Sequence, residues 1–349
     1  MAVKKSGSEN RGKVCFAALD PYMQYNLPAP TQKEVAGKDY IPYGADNLYP
    51  QFLLGLYESC STLKAIIDGN VDYVLGDDFS LAANIEKSKA ADIMREIVRD
   101  WYIFGYGFIQ VIRNPLGEVV DLVHLPSEWV RTDKEHQAFW YCEEWNKRGM
   151  HKSVVYPAYV NSPDQSTGVV MVGDGRGVYP APLWSAAVRD AEMQRKMDEF
   201  HLNELSNNFL SSLLVNFNNG TPDDKVKAQI ERDMNEKFSG AENAGRIMLS
   251  FNENVTNRTT VERLSADGFD ERYKALASWT REQIFISFKA QPILFGLTSE
   301  TNTGFSTTEF GDLFRLYNKT MISPRQDMLR RAFGKIYGSD VLTISPFTI

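Results

Sequence analysis

A chain of 349 residues, 43% hydrophobic and 24% charged, has room for about two domains and a sizeable core. Its formal net charge of -7 gives no overall basic balance of the kind that binds nucleic acid through phosphates. The polar start MAVKKSGSENRGK lacks the apolar stretch of a secretory leader, no run is long enough for a bilayer, and Cys15, Cys60 and Cys142 are too scattered for a disulfide framework or a CxxC site, so a reducing compartment and no membrane partner are expected.

Residues 1–42 are rich in Lys, Gly, Pro and Gln and read as an arm, mobile or docked on a partner. Tyr43-Gly44-Ala45-Asp46-Asn47-Leu48-Tyr49-Pro50 is dense in turn formers. After it Leu53, Leu56, Tyr57, Cys60, Leu63 and Ile67 recur at helical spacing, up to Gly76-Asp77-Asp78. Ile85, Ile93, Ile97, Trp101 and Phe104 mark a second helix. From Gly105 the period changes. Phe108–Arg113 and Val119–Leu125 predict two strands around the turn Asn114-Pro115-Leu116-Gly117, and Ala138–Trp145, Ser153–Val160 and Val169–Val172 predict more.

A helix is then expected from Pro182 to Phe209, about 40 Å of rod at 1.5 Å per residue. Its surface is charged (Arg189, Asp190, Glu192, Arg195, Lys196, Asp198, Glu199, Glu204) and its apolar side is thin (Leu183, Ala187, Ala191, Met197, Phe200, Leu205), which fits packing among copies of itself better than a monomer's core. Residues 210–267 predict strand (Leu213–Phe217), helix and strand (Arg246–Phe251), with Val261–Leu264 as a further candidate. Thr221 is the expected N-cap, Pro222 stands at the first helical position and Asp224 closes a capping box; Val226, Ile230, Met234 and Phe238 form the apolar stripe. A second long helix spans Phe269–Gln291 and is stopped or kinked by Pro292. Gly296–Phe305 is a polar loop, and Ser306 with Glu309 opens a third helix through Phe310, Leu313, Phe314, Tyr317 and Met321. Pro324 interrupts that helix before Leu329, Phe333 and Ile336.

Catalytic signatures are weak. Gly7–Val14 approaches a P-loop but carries Val14 where Ser or Thr would hold magnesium. Gly173-Asp174-Gly175-Arg176-Gly177 resembles a dinucleotide fingerprint with its third glycine one position early and Pro180 and Pro182 close behind. His124, His136, His151 and His201 show no metal-ligand spacing, and Asp77-Asp78, Glu143-Glu144 and Asp223-Asp224 read as solvated or capping pairs. No GxSxG elbow occurs. Neither an enzyme nor a cofactor is expected; the residual enzymatic reading is a nucleotide-dependent one at Gly173–Gly177.

The order of parts, together with Asp46–Pro50, Tyr73–Gly76, Gly105–Arg113, Leu122–Pro126, Ala241–Leu249 and above all Gln291–Gly296 followed by a polar loop and Glu309, resembles the portal proteins of tailed bacteriophages, in particular those of Bacteroidetes-type hosts. The resemblance implies an α+β portal fold: arm 1–42, wing 43–178, stem helix 179–209, clip 210–267, second stem helix 268–295, tunnel loop 296–306, wing helix 307–337 and tail 338–349, with a crown minimal or absent. It implies a homo-oligomeric ring, a dodecamer, at one capsid vertex. Double-stranded DNA passes through it without sequence reading, and the major capsid protein, the terminase large subunit and head-completion or adaptor proteins are its partners. The channel loop would be Leu297, Thr298, Ser299, Glu300, Thr301, Asn302, Thr303, Gly304 and Phe305, with Gly296 and Gly304 as hinges. Docking on the clip would fall to Asp223, Asp224, Lys227, Glu231, Glu242, Asn243 and Arg246. The alternative within structural proteins is another phage connector or adaptor ring.

Overall fold

The computed structural model describes residues 27–82, 85–147, 152–173, 175–206, 213–217, 247–251, 269–296 and 307–347, together with Asp223, Lys225, Val226 and Gln229. Within the expected arm, the chain from residue 27 lies docked on the rest of the protein. Gln32 bridges Tyr43 in antiparallel fashion, its amide donates to the Tyr179 carbonyl at 2.7 Å, and Ile41 N–H donates to the Thr132 carbonyl at 2.9 Å.

The first helical pattern is two helices, α1 (Tyr49–Ser59) and α2 (Ser61–Leu75), broken where Cys60 takes an extended conformation. The break turns both apolar stripes inward: Leu53, Leu56, Leu63, Ile66, Ile67 and Val74 are fully buried. Each such side chain contributes about 1.5–3 kcal/mol relative to exposure. Helix α3 (Lys87–Phe104) buries Ala90, Ile93, Met94, Ile97 and Val98 along one stripe. It ends on Gly105 at φ 93°, where a Cβ would stand 2.4 Å from the Pro180 carbonyl oxygen, so only glycine fits this stop.

Residues 106–173 form two three-stranded sheets. β2 (Tyr106–Arg113) lies between β3 (Val119–Leu125) and β7 (Thr167–Gly173), and β5 (Ala138–Tyr141) lies between β4 (Val130–Thr132) and β6 (Val154–Pro157). A single bridge from Ala158 to Val169 links the two sheets. Two elements not expected from sequence tie the two ends of the described chain together: β1 (Asp78–Leu81) pairs antiparallel with β10 (Leu342–Ser345). The expected tail is therefore a strand of the fold.

The charged helix starts later than Pro182. A 3-10 turn at Ser185–Ala187 precedes α4 (Val188–Ser206), because Trp184 is driven fully into the core and donates its indole N–H to the Tyr102 carbonyl at 2.9 Å. Helix α5 (Phe269–Ser287) runs antiparallel to α4, with the His201 and Tyr273 rings 4.0 Å apart. It stops before Pro292, at Lys289 (φ 52°), and Pro292 instead opens a 3-10 turn, Pro292–Phe295. Helix α6 (Thr307–Tyr317) passes through a π-helical turn, Asn318–Ile322, into α7 (Ser323–Tyr337). The interruption anticipated at Pro324 is this wider turn. It absorbs the missing proline N–H, and the Arg325 guanidinium donates to the Met321 carbonyl at 2.6 Å.

Candidate functional site

In sequence between α4 and α5, β8 (Leu213–Phe217) and β9 (Ile247–Phe251) pair in parallel, from Leu213 opposite Ile247 to Phe217 opposite Phe251. Parallel neighbours require a crossover. Lys225, Val226 and Gln229 between them are helical, and the Asp223 carboxylate accepts the Lys225 N–H at 3.2 Å. Asp223 itself is exposed; Asp224, Lys227, Glu231, Glu242, Asn243 and Arg246 lie outside the described residues, as do the predicted cap Thr221 and the candidate strand Val261–Leu264. The α4 shaft is held by local charge: Arg195 bonds Glu192, which is 3% exposed, and Glu199, whose carboxyl is lowered chiefly by the Lys196 ammonium.

The predicted channel-loop residues Leu297–Phe305 also lie outside the described residues, but both chain ends that carry them are in place. Before the loop, Gly296 is left-handed (φ 79°) and the Tyr73 hydroxyl donates to the Leu294 carbonyl. Phe295 wedges into a notch over Gly69, where a Cβ would meet the Phe295 ring at 2.8 Å. After the loop, Phe314 and Tyr317 pack on Tyr73, and the Tyr317 hydroxyl donates to Asn70 Oδ1 at 2.6 Å. Asn70 is fully buried, and its amide donates to the Ile66 carbonyl at 2.8 Å. Both ends are thus fastened to one helix, α2; the Gln291–Gly296 and Tyr73–Gly76 matches and the apolar line through Phe314 and Tyr317 touched this place, whereas Gly69 and Asn70 carried no sequence signal.

A second polar constellation ties the chain just before α1 to β4. Asn47 is left-handed (φ 66°), and its side-chain oxygen accepts from Tyr43 N–H at 3.0 Å and from Arg131 Nε at 2.7 Å. The Arg131 guanidinium is fully buried and also donates to the carbonyls of Asn47 and Glu128, so the Asp46–Pro50 motif is a latch for a buried cation. Nearby, Asp100 accepts from Ser127 N–H at 2.9 Å and faces His124 Nε2 at 2.8 Å. Burial, and then the Asp100 charge, pushes the Glu128 carboxyl up to about 7. Burial lowers the His124 imidazole, but the Asp100 hydrogen bond and charge outweigh it and leave the ring raised.

The Gly173–Gly177 loop is filled by its own chain. A Cβ on Gly175 would meet Pro180 at 2.9 Å and one on Gly177 would meet the Gln32 side chain at 3.0 Å, and α4 begins only at Val188, so among the described residues no α-helix starts directly behind the loop. Asp174 lies outside the described residues. Among the described residues no cluster of three or more His, Cys, Asp or Glu side chains is arranged to hold a metal, and no helix is long and apolar enough to cross a membrane.

A mixed wing, an antiparallel helical pair and a small parallel sheet between its helices place the chain in a class of α+β folds seen in phage-like particles. The fold is similar to a chain from the neck of an empty gene transfer agent particle computed with C6 symmetry (11% identity, 85% of each chain, TM-score 0.54). It is likewise similar to one from the native particle's neck computed with C12 symmetry (12% identity, 85% of this chain and 84% of that one, TM-score 0.51) and to one from the native virion (12% identity, 86% and 84%, TM-score 0.52). No curated protein matches the sequence. The family model described as phage portal protein matches residues 82–335, and the chain belongs to that family.

Proposed function

We propose that this chain is the subunit of a twelve-membered portal ring at one vertex of a virion capsid, assembled in the host cytoplasm, with no catalytic role of its own. The observation that carries the reading is the excursion out of the wing: α4 leads away, β8 and β9 form a parallel pair with helical residues between them, and α5 returns alongside α4. In this reading residues 43–178 and 307–337 form the wing, α4 and α5 the stem, and residues 210–267 the clip. The clip, with Asp223 exposed on it, receives the terminase large subunit during packaging and head-completion or adaptor proteins afterwards. The wing meets the major capsid protein. The loop Leu297–Phe305 faces duplex DNA without reading bases. The cyclic symmetry of the gene transfer agent necks supports a ring of this fold.

Electron microscopy of the purified full chain, with class averages counting subunits, tests the proposal. Closed rings with a channel that admits duplex DNA are expected. A chain that remains monomeric or dimeric at high concentration, with and without capsid protein and scaffold, overturns it.

A further inference from the structure

Helix α5 has three faces, and among the described residues only two are explained by the chain itself. Tyr273, Ala277, Thr280 and Ile284 turn inward; Tyr273 meets His201 of α4, and Thr280 and Ile284 are fully buried. Lys274, Ser278, Arg281 and Glu282 form an exposed polar face. The third face carries Leu276, Trp279 and Ile286, which are 41%, 47% and 58% exposed, with Gln283 completing the row. The steps from 276 to 279, 283 and 286 are three, four and three residues. That is the spacing of a helix–helix seam, and about 15 Å of helix presents it. Solvent-facing Trp, Leu and Ile in register along one helix call for a partner of matching length.

We infer that the Leu276–Trp279–Ile286 row is a seam that seats against the stem of a second copy of this chain. The inference rests on the ring reading and adds to it the side chains that meet. The row runs along the shaft of the helical pair, so a partner laid lengthwise covers it, whereas a protein docked on the clip would touch only one end. Its size points the same way. Three side chains bury on the order of 300 Å², far below the roughly 1,600 Å² of a standard stable interface, so the seam does not hold a dimer alone. In a head-to-tail ring each copy presents the row once and receives its neighbour's once, and wing contacts add to the buried area.

The test places a benzoyl-phenylalanine photo-crosslinker at position 279 of the full chain, and maps the adducts by mass spectrometry after the ring count has been made. Adducts joining position 279 to α4 or α5 of another copy are expected. In parallel, Trp279→Glu should lower the fraction of chains in rings at least tenfold while circular dichroism and the melting temperature stay close to those of the parent. Rings of normal count with no inter-copy adduct, or undiminished rings from Trp279→Glu, overturn the seam and leave the ring reading standing. An unmodified chain that forms no ring overturns both.

Discussion

Glu128 is flanked by Asp100 on α3, His124 on β3 and Arg131 on β4, and its carboxyl is held up to about 7 against an ordinary 4.5. A carboxyl raised in the folded state favours folding while it is protonated. Its contribution is complete below the unfolded value and is lost as pH rises through about 7. His124, raised above 6.5, acts with the same sign. The wing is therefore expected to melt at a lower temperature at pH 8 than at pH 6. Glu128→Gln should remove most of that slope and be the more stable protein at pH 8, by up to about 3 kcal/mol. A melting temperature that is flat or rises across this window contradicts a half-buried, protonated Glu128. Asn70 makes a sharper case, because its oxygen serves the Tyr317 hydroxyl inside the core. Asn70→Leu strands that hydroxyl at a cost of about 1–3 kcal/mol. Pairing it with Tyr317→Phe should recover much of the loss in a double-mutant cycle by denaturant unfolding; additive losses would mean that the bond carries no coupling. Tyr317 was legible as one of the apolar positions of its helix, but its partner was not, since a lone Asn in an apolar helix carries no spacing signal. The Asp46–Pro50 motif was visible, but its cause, a guanidinium from 84 residues away, was not.

Among the elements, those with local causes were legible. Helix α3 followed from its apolar period. The β2–β3 hairpin followed from Asn114-Pro115-Leu116-Gly117, where Asn114 Oδ1 accepts from Leu116 and Glu118 N–H and Gly117 is left-handed at φ 84°. The β8 strand was read with its observed bounds, Leu213–Phe217. Elements whose causes are remote were missed. β1 and β10 are four residues each and exist only because Asp78–Leu81 meets Leu342–Ser345 from the other end of the chain. The start of α4 was misplaced because the burial of Trp184 overrode the helix-starting tendency of Pro182. The π-turn shows how such a cause can be tested. With Asn318–Ile322 in place, Leu329, Phe333 and Ile336 of α7 all face the core. The wide turn holds one residue more than a regular helix would, so deleting Thr320 permits a regular helix that keeps these side chains on the same face, to within about 20°. The deletion should therefore leave the circular dichroism melt within a few degrees of the parent. A loss of more than about 4 kcal/mol would show that the packing needs the wide turn itself.

At the scale of the proposed ring, charge decides what kind of channel the chain would build. Twelve copies at -7 would carry about -84 (12 × 7 = 84). A wall that neutralised phosphates would grip duplex DNA and lose about 10³–10⁵ in affinity between 50 and 200 mM salt. Such a ring repels the duplex as a whole, which favours contact through uncharged groups, and Thr298, Ser299, Thr301, Asn302 and Thr303 would supply hydroxyls and an amide with only Glu300 charged among them. Such contacts let DNA slide and resist it only by fit. Because both ends of this segment are fastened to α2, through Tyr73 with Phe295 on one side and Asn70 with Tyr317 on the other, shortening the segment need not disturb the ring. Deleting residues 298–303 should leave the subunit count in micrographs unchanged while particles built on the variant retain several-fold less packaged genome. The deficit should change little between low and high salt, because no phosphate neutralisation is lost. Particles with full genomes after the deletion would remove the loop from the channel's function, and a deficit that deepens steeply with salt would move the DNA contact to cationic side chains elsewhere on the ring.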